Sequence, residues 1–179
     1  MKNLEFIKDK ELRVTIENSI EYMYALYEDS RNEEKSSLYK EETYRVIVLY
    51  VISIIEAILL FFYKEKSDRI EKIQYKFITH LPNEYVHNKK TGLPVVIAVQ
   101  EKIQKREDEI GLYELVNFFL SKRLIRKETA EEILELNDIR NTLHLSKPRK
   151  KQCDIDKVEE SFKLLIRTIE KAPKALNKK

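Results

Sequence analysis

The stretch "VIVLYVISIIEAILLFFY", Val46–Tyr63, decides the fold of this chain. It is eighteen residues long and almost entirely apolar. A membrane-spanning helix needs about 20 such residues, so the run stands at the lower edge of that length. Glu56 lies near its middle. A charge at the bilayer centre costs roughly 2.5–3.5 kcal/mol on insertion scales. Arg45 on one flank and Lys64 and Lys66 on the other give no topology signal. The run therefore reads as a buried core helix, with no membrane partner. A helix that is apolar all round belongs at the centre of a bundle or at a dimer interface.

The rest of the composition agrees with a helical bundle. The chain has 179 residues, which suits one domain with a real core. It holds only two glycines and four prolines, and so little turn chemistry favours long helices. Charged residues make up 36% and the hydrophobic set 42%, a balance too apolar for a disordered chain. The net charge of +3 does not by itself indicate nucleic acid. One cysteine, Cys153, excludes an intramolecular disulfide and zinc sites built from several thiolates. The opening residues "MKNLEFIKDKEL" contain no signal-peptide apolar region, so the expected setting is reducing and cytoplasmic. No metal and no cofactor is expected.

Outward from the apolar run, the periodicities predict a mainly α fold. The expectation is an antiparallel bundle of four to five helices in a single domain over 1–179, with a small β-hairpin insertion at 70–102. Ile16, Ile20, Met23 and Tyr27 mark a first helix over roughly 4–30. The second runs from about Leu38 to Tyr63. "IQYKFI", Ile73–Ile78, alternates with a strand period, and "LPVVIAV", Leu93–Val99, is β-branched. Helices resume at about Ile103. Leu112, Leu115, Val116 and Phe119 share one face, and so do Ile133, Leu136, Ile139 and Leu143. Thr129 with Glu132 has the form of a capping box. Pro148 stops that helix. The last helix spans about 154–171, with Val158, Phe162, Leu165 and Ile169 as its stripe and Asp154 or Asp156 as its cap. Residues 172–179 read as a basic, mobile tail.

Chemistry near neutral pH usually needs a histidine, and there are three: His80, His87 and His144. His80 and His87 fall around the hairpin loop. His144 stands one helical turn after Arg140 in "ELNDIRNTLHLSKPRKK", Glu135–Lys151. Two basic groups on one face want an anion between them. Glu56, the one charged residue of the apolar run, needs a cation if its helix is buried. Arg140 is the predicted partner, because a guanidinium can grip a carboxylate as a fork. The bridge then either ties two helices together or orients Arg140 for a phosphate.

These residues resemble the HEPN superfamily. "ELNDIRNTLHL" is similar to its arginine–asparagine…histidine signature, with Arg140, Asn141 and His144 in place. "YVISIIEAILLFF" is similar to the family's second helix, and "LVNFFLSKRLIRKETAEEILELNDIRNTLH" to the helix pair that leads into the signature. Three residues separate Arg140 from His144, where the family motif usually has four to six. The resemblance implies an all-α bundle that dimerises and a metal-independent RNase site. In that site Arg140 holds the scissile phosphate, His144 moves protons, Asn141 orients and Glu56 supports. Lys147, Arg149, Lys150 and Lys151 are the candidate RNA-binding cations.

The expected function is a metal-independent endoribonuclease of a toxin–antitoxin or phage-defence type. Its expected partners are a second copy of the chain, RNA, and an antitoxin or nucleotidyltransferase-type protein. The first alternative is a non-catalytic module for dimerisation or for binding RNA or protein. The second is a DNA-binding regulator using residues 112–144 as a helix–turn–helix, although Glu131, Glu132 and Glu135 would repel phosphates.

Overall fold

The structure is a computed structural model that describes residues 4–80, 90–92, 96–142 and 153–176. It is mainly helical, a five-helix bundle with a two-stranded hairpin, as the periodicities predict. The chain divides into two compact units, a helical one of residues 1–66 and 111–179 and an inserted one of 67–110.

In the helical unit α1 is Lys10–Ser30, α2 Ser37–Lys64, α3 Leu112–Ser121, α4 Lys127–Asn141 and α5 Ile155–Leu176. α2 is the central element and packs against each of the other four. Ser36 starts it by accepting a hydrogen bond from the Tyr39 amide at 3.2 Å. Its middle is rich in Val and Ile, which are indifferent helix formers because their branched Cβ restricts χ1. Burial holds the helix instead. Ile47, Val48, Val51, Ile52, Ile55 and Ile58 are each sealed from solvent. Full burial of one such side chain contributes about 1.5–3 kcal/mol. By length and composition alone α2 could cross a membrane. Within 46–63, however, only Ser53 is exposed. One bundle thus covers most of the helix, while Leu49, Tyr50, Ala57, Leu60 and Phe61 stay partly exposed.

The other helices present the predicted faces. Ile16, Ile20 and Met23 of α1 are buried, as are all four marked residues of α3 and Ile133, Leu136 and Ile139 of α4. Leu143 lies outside the described residues. On α5 Val158, Leu164 and Leu165 are buried, while Phe162 sits between Tyr24 and Tyr27 at ring-centroid distances of 5.2 and 5.3 Å.

Several boundaries differ from expectation. α1 begins at Lys10, because Asp9 caps it by accepting from the Leu12 amide at 3.0 Å. Residues before it make a turn that buries Leu4 and Ile7. α4 begins two residues ahead of the predicted capping box, with Arg126 at the N-cap and no side-chain cap. α5 continues past Pro173 to Leu176, with Ala172 buried, so the predicted tail from 172 is largely helix. Asp154 caps it, accepting from the Lys157 amide at 3.0 Å.

The turn between α3 and α4 carries Arg123 at φ 56°. The Leu124 amide there closes back onto the Phe119 carbonyl at 2.9 Å.

The inserted unit is a hairpin of β1, Glu71–His80, and β2, Val96–Gln104, followed by one turn of 3-10 helix, Glu107–Glu109. The register pairs Glu71 with Gln104 and Tyr75 with Gln100, with a bulge between Phe77 and Thr79. The strand extends beyond the predicted 102, and helix does not resume at Ile103, which pairs with Lys72. A ribbon open to solvent on both faces tolerates the polar run "QEKIQ" as strand. Ile73, Tyr75 and Ile78 are more than half exposed. Lys72 pairs with Glu109 at the base of the hairpin. His80 ends β1, and His87 lies outside the described residues.

Candidate functional site

Helix packing brings Glu56 of α2 to Arg140 of α4. The Arg140 guanidinium donates from Nη1 to Glu56 Oε2 at 2.7 Å. This is the contact predicted from one lone carboxylate in an apolar helix. The pair is not sealed, since the side chains are 25% and 28% exposed. Arg140 stands in the last turn of α4, where a cation is favoured by the helix dipole. Asn141 follows it as the last helical residue and is partly exposed.

A second cation, missed at the sequence level, organises this end of α4. Arg45 is 1% exposed. Its Nη2 donates to Glu41 Oε1 at 2.8 Å, and its Nη1 donates to Thr142 Oγ1 at 3.0 Å. Thr142 is the C-cap of α4, and its hydroxyl in turn donates to the Ile139 carbonyl at 2.7 Å. The backbone next to Arg140 and Asn141 is thus pinned to α2 from inside the bundle. The available signal was Glu41 one turn before Arg45 at the rim of the apolar run. Read only as a flank of a possible membrane span, Arg45 was passed over.

Cys153, also buried, lies near the same guanidinium. Burial pushes its thiol pKa up to about 11, and the positive charge of Arg45 opposes part of that rise. Thr142 and Cys153 are the described residues on either side of 143–152. Both therefore lie around Arg45.

Asn137 is the second residue the sequence reading missed. Its Oδ1 is shut off from water and has no hydrogen-bond partner among the described residues. It sits one turn before Arg140 and Asn141, on the same side of α4. An amide at i−3 to an arginine was the available signal.

His144, Lys147, Arg149, Lys150 and Lys151 lie outside the described residues. α4 ends at Asn141, so the helical-turn argument that placed His144 beside Arg140 rests on residues beyond the described helix. Among the described residues no three His, Cys, Asp or Glu side chains converge as a metal-ligand set. The chain matches no family model, no curated protein and no solved structure.

Proposed function

We propose that this chain is a HEPN-like, metal-independent endoribonuclease of the toxin–antitoxin or phage-defence kind, cytoplasmic and homodimeric. The supporting observation is the Glu56–Arg140 bridge. It holds a guanidinium, still a quarter exposed, at the end of α4, directly before the segment that carries His144 and the cations of "KPRKK".

In this reading Arg140 binds the non-bridging oxygens of a phosphodiester. His144 takes the proton of the ribose 2′-OH as it attacks phosphorus and passes it to the departing 5′-oxygen. The products are a 2′,3′-cyclic phosphate and a 5′-hydroxyl. The need for a 2′-OH makes the substrate RNA. A second copy would cover the shallow apolar groove of about 280 Å³ that Leu12, Leu49, Tyr50 and Ala57 line between α1 and α2.

The test is the purified protein with single-stranded RNA in EDTA, assayed for cyclic phosphate ends. His144→Ala should lower cleavage about 10²–10⁴-fold with folding intact. Unchanged cleavage in that variant removes the assignment.

The alternative reading is a non-catalytic module for dimerisation or for binding RNA or protein. Failure of the wild type to cut varied RNAs selects this reading. A DNA-reading helix–turn–helix fits poorly. α4 buries its apolar face, and its exposed side carries Glu128, Glu131, Glu135 and Asp138, which meet phosphate with like charge.

A further inference from the structure

We propose that the opposite end of α4 forms a binding site for a small aliphatic anion, a hydrocarbon chain ending in a carboxylate or similar acidic group. A cavity of about 530 Å³ opens there between α2, the α3–α4 turn, α4 and α5. That volume lies within the usual range for small-molecule sites, roughly 300–1,000 Å³. The first turn of α4 is about 16 Å along the helix from Arg140, at 1.5 Å per residue, so this site is separate from the one above.

The apolar part of the lining is aliphatic throughout: Leu59, Leu124, Ile125, Ile133 and Ala172. Among the described residues no aromatic ring lines it, so they offer no stacking platform for a nucleobase. The polar rim is cationic. Arg126, Arg167, Lys171 and Lys174 stand there with the carboxylate of Glu128, and Arg167 is already neutralised by Glu132 beside the cavity.

Two features say that this rim is short of an anion. Arg126, Lys171 and Lys174 make no ion pair among the described residues. Lys171 and Lys174 lie near the C-terminal end of α5, where cations are favoured in any case. Arg126 has no such reason, because it stands at the positive end of α4. That helix start also lacks a side-chain cap, so its first amides have no side-chain acceptor at the N-cap. Arg167, by contrast, is already paired with Glu132 through Nη2 at 2.7 Å. An acidic group seated at the rim answers both features, and its chain would lie along the aliphatic floor.

The experiment is calorimetric titration of the full-length protein with decanoate below its micelle concentration, beside decan-1-ol and inorganic phosphate. Saturable binding of one decanoate per chain is expected. Decanol and phosphate alone should each bind at least tenfold more weakly. Arg126→Glu with Lys171→Glu should weaken decanoate at least tenfold, with helix content checked by circular dichroism. Should that pair fail to fold, Lys171→Gln alone, an exposed change, should weaken it severalfold. Absence of saturable decanoate binding overturns the proposal. Equal affinity for decanol, or indifference to the charge changes, does so too. Co-sedimentation with anionic phospholipid vesicles without uptake of free decanoate would also overturn it, assigning the cations to a lipid surface.

Discussion

Arg140 reaches Glu56 at 2.7 Å across the α2–α4 interface, with each side chain about three-quarters buried. The energetics of this pair should therefore resemble a surface ion pair more than a sealed one. Glu56→Gln is expected to lose no more than about 1 kcal/mol of stability in urea unfolding. A double-mutant cycle with Arg140→Ala should give a coupling of similar size. A loss of about 3–5 kcal/mol would mean that the pair behaves as fully desolvated, contrary to this expectation.

Arg45 should respond differently, because it is sealed while its partner Glu41 is 39% exposed. Arg45→Ala leaves a void and removes the tie from α2 to the Thr142 hydroxyl, and should cost about 3 kcal/mol or more. Arg45→Met fills the space and lets Glu41 hydrate, so it should recover part of that loss. Urea midpoints of the two variants compare them directly. An Arg45→Ala protein within about 1 kcal/mol of wild type would rule out a structural role for this side chain.

Cys153 gives a pH dependence with a definite sign. Its folded pKa is raised to about 11, while an unfolded thiol titrates near the ordinary value of about 8.5. Below that lower value the thiol is protonated in both states. Between the two values the unfolded chain gives up the proton and the folded chain keeps it, so stability falls as pH rises. Cys153→Ala should show a shallower decline over that window in thermal melts. The native thiol should also resist a disulfide reagent at pH 8 and react promptly once unfolded.

Arg123 holds a left-handed backbone at φ 56° with an exposed, β-carbon-bearing side chain. Such a conformation costs on the order of 1 kcal/mol in a residue other than glycine. Arg123→Gly should raise the unfolding midpoint, by up to about 1 kcal/mol after glycine's larger unfolded-state entropy is set against it. A destabilised glycine variant would show that the arginine side chain itself makes a stabilising contact.

The bundle was legible because burial writes a period into sequence. The face of α3 and most of the face of α4 were readable from spacing alone, and the hairpin from its alternation. What escaped was decided by single side chains rather than by period. Asp9 sets the start of α1, Arg126 displaces the expected cap at Thr129, and buried Ala172 belongs to a helix that runs to Leu176 where a basic tail was expected. In the site, Glu56 and Arg140 could be paired from charge economy. Arg45 stands outside the apolar run and escapes that reasoning, and its one signal is Glu41 one turn before it. Asn137 was hidden because its interest lies in a sealed oxygen that has no hydrogen-bond partner among the described residues.

The hairpin carries a consequence for the chain's history. The Lys105 amide donates to the Ile70 carbonyl at 2.8 Å, so the polypeptide departs and returns within one hydrogen bond. Excising 71–104 and rejoining the ends with a few glycines would stretch nothing in the helices on either side. A segment bounded in that way can be acquired, lengthened or discarded by a lineage while the bundle's own stability is left to its helices. Selection can then reshape the ribbon's exposed Ile73 and Tyr75 on a schedule independent of the core.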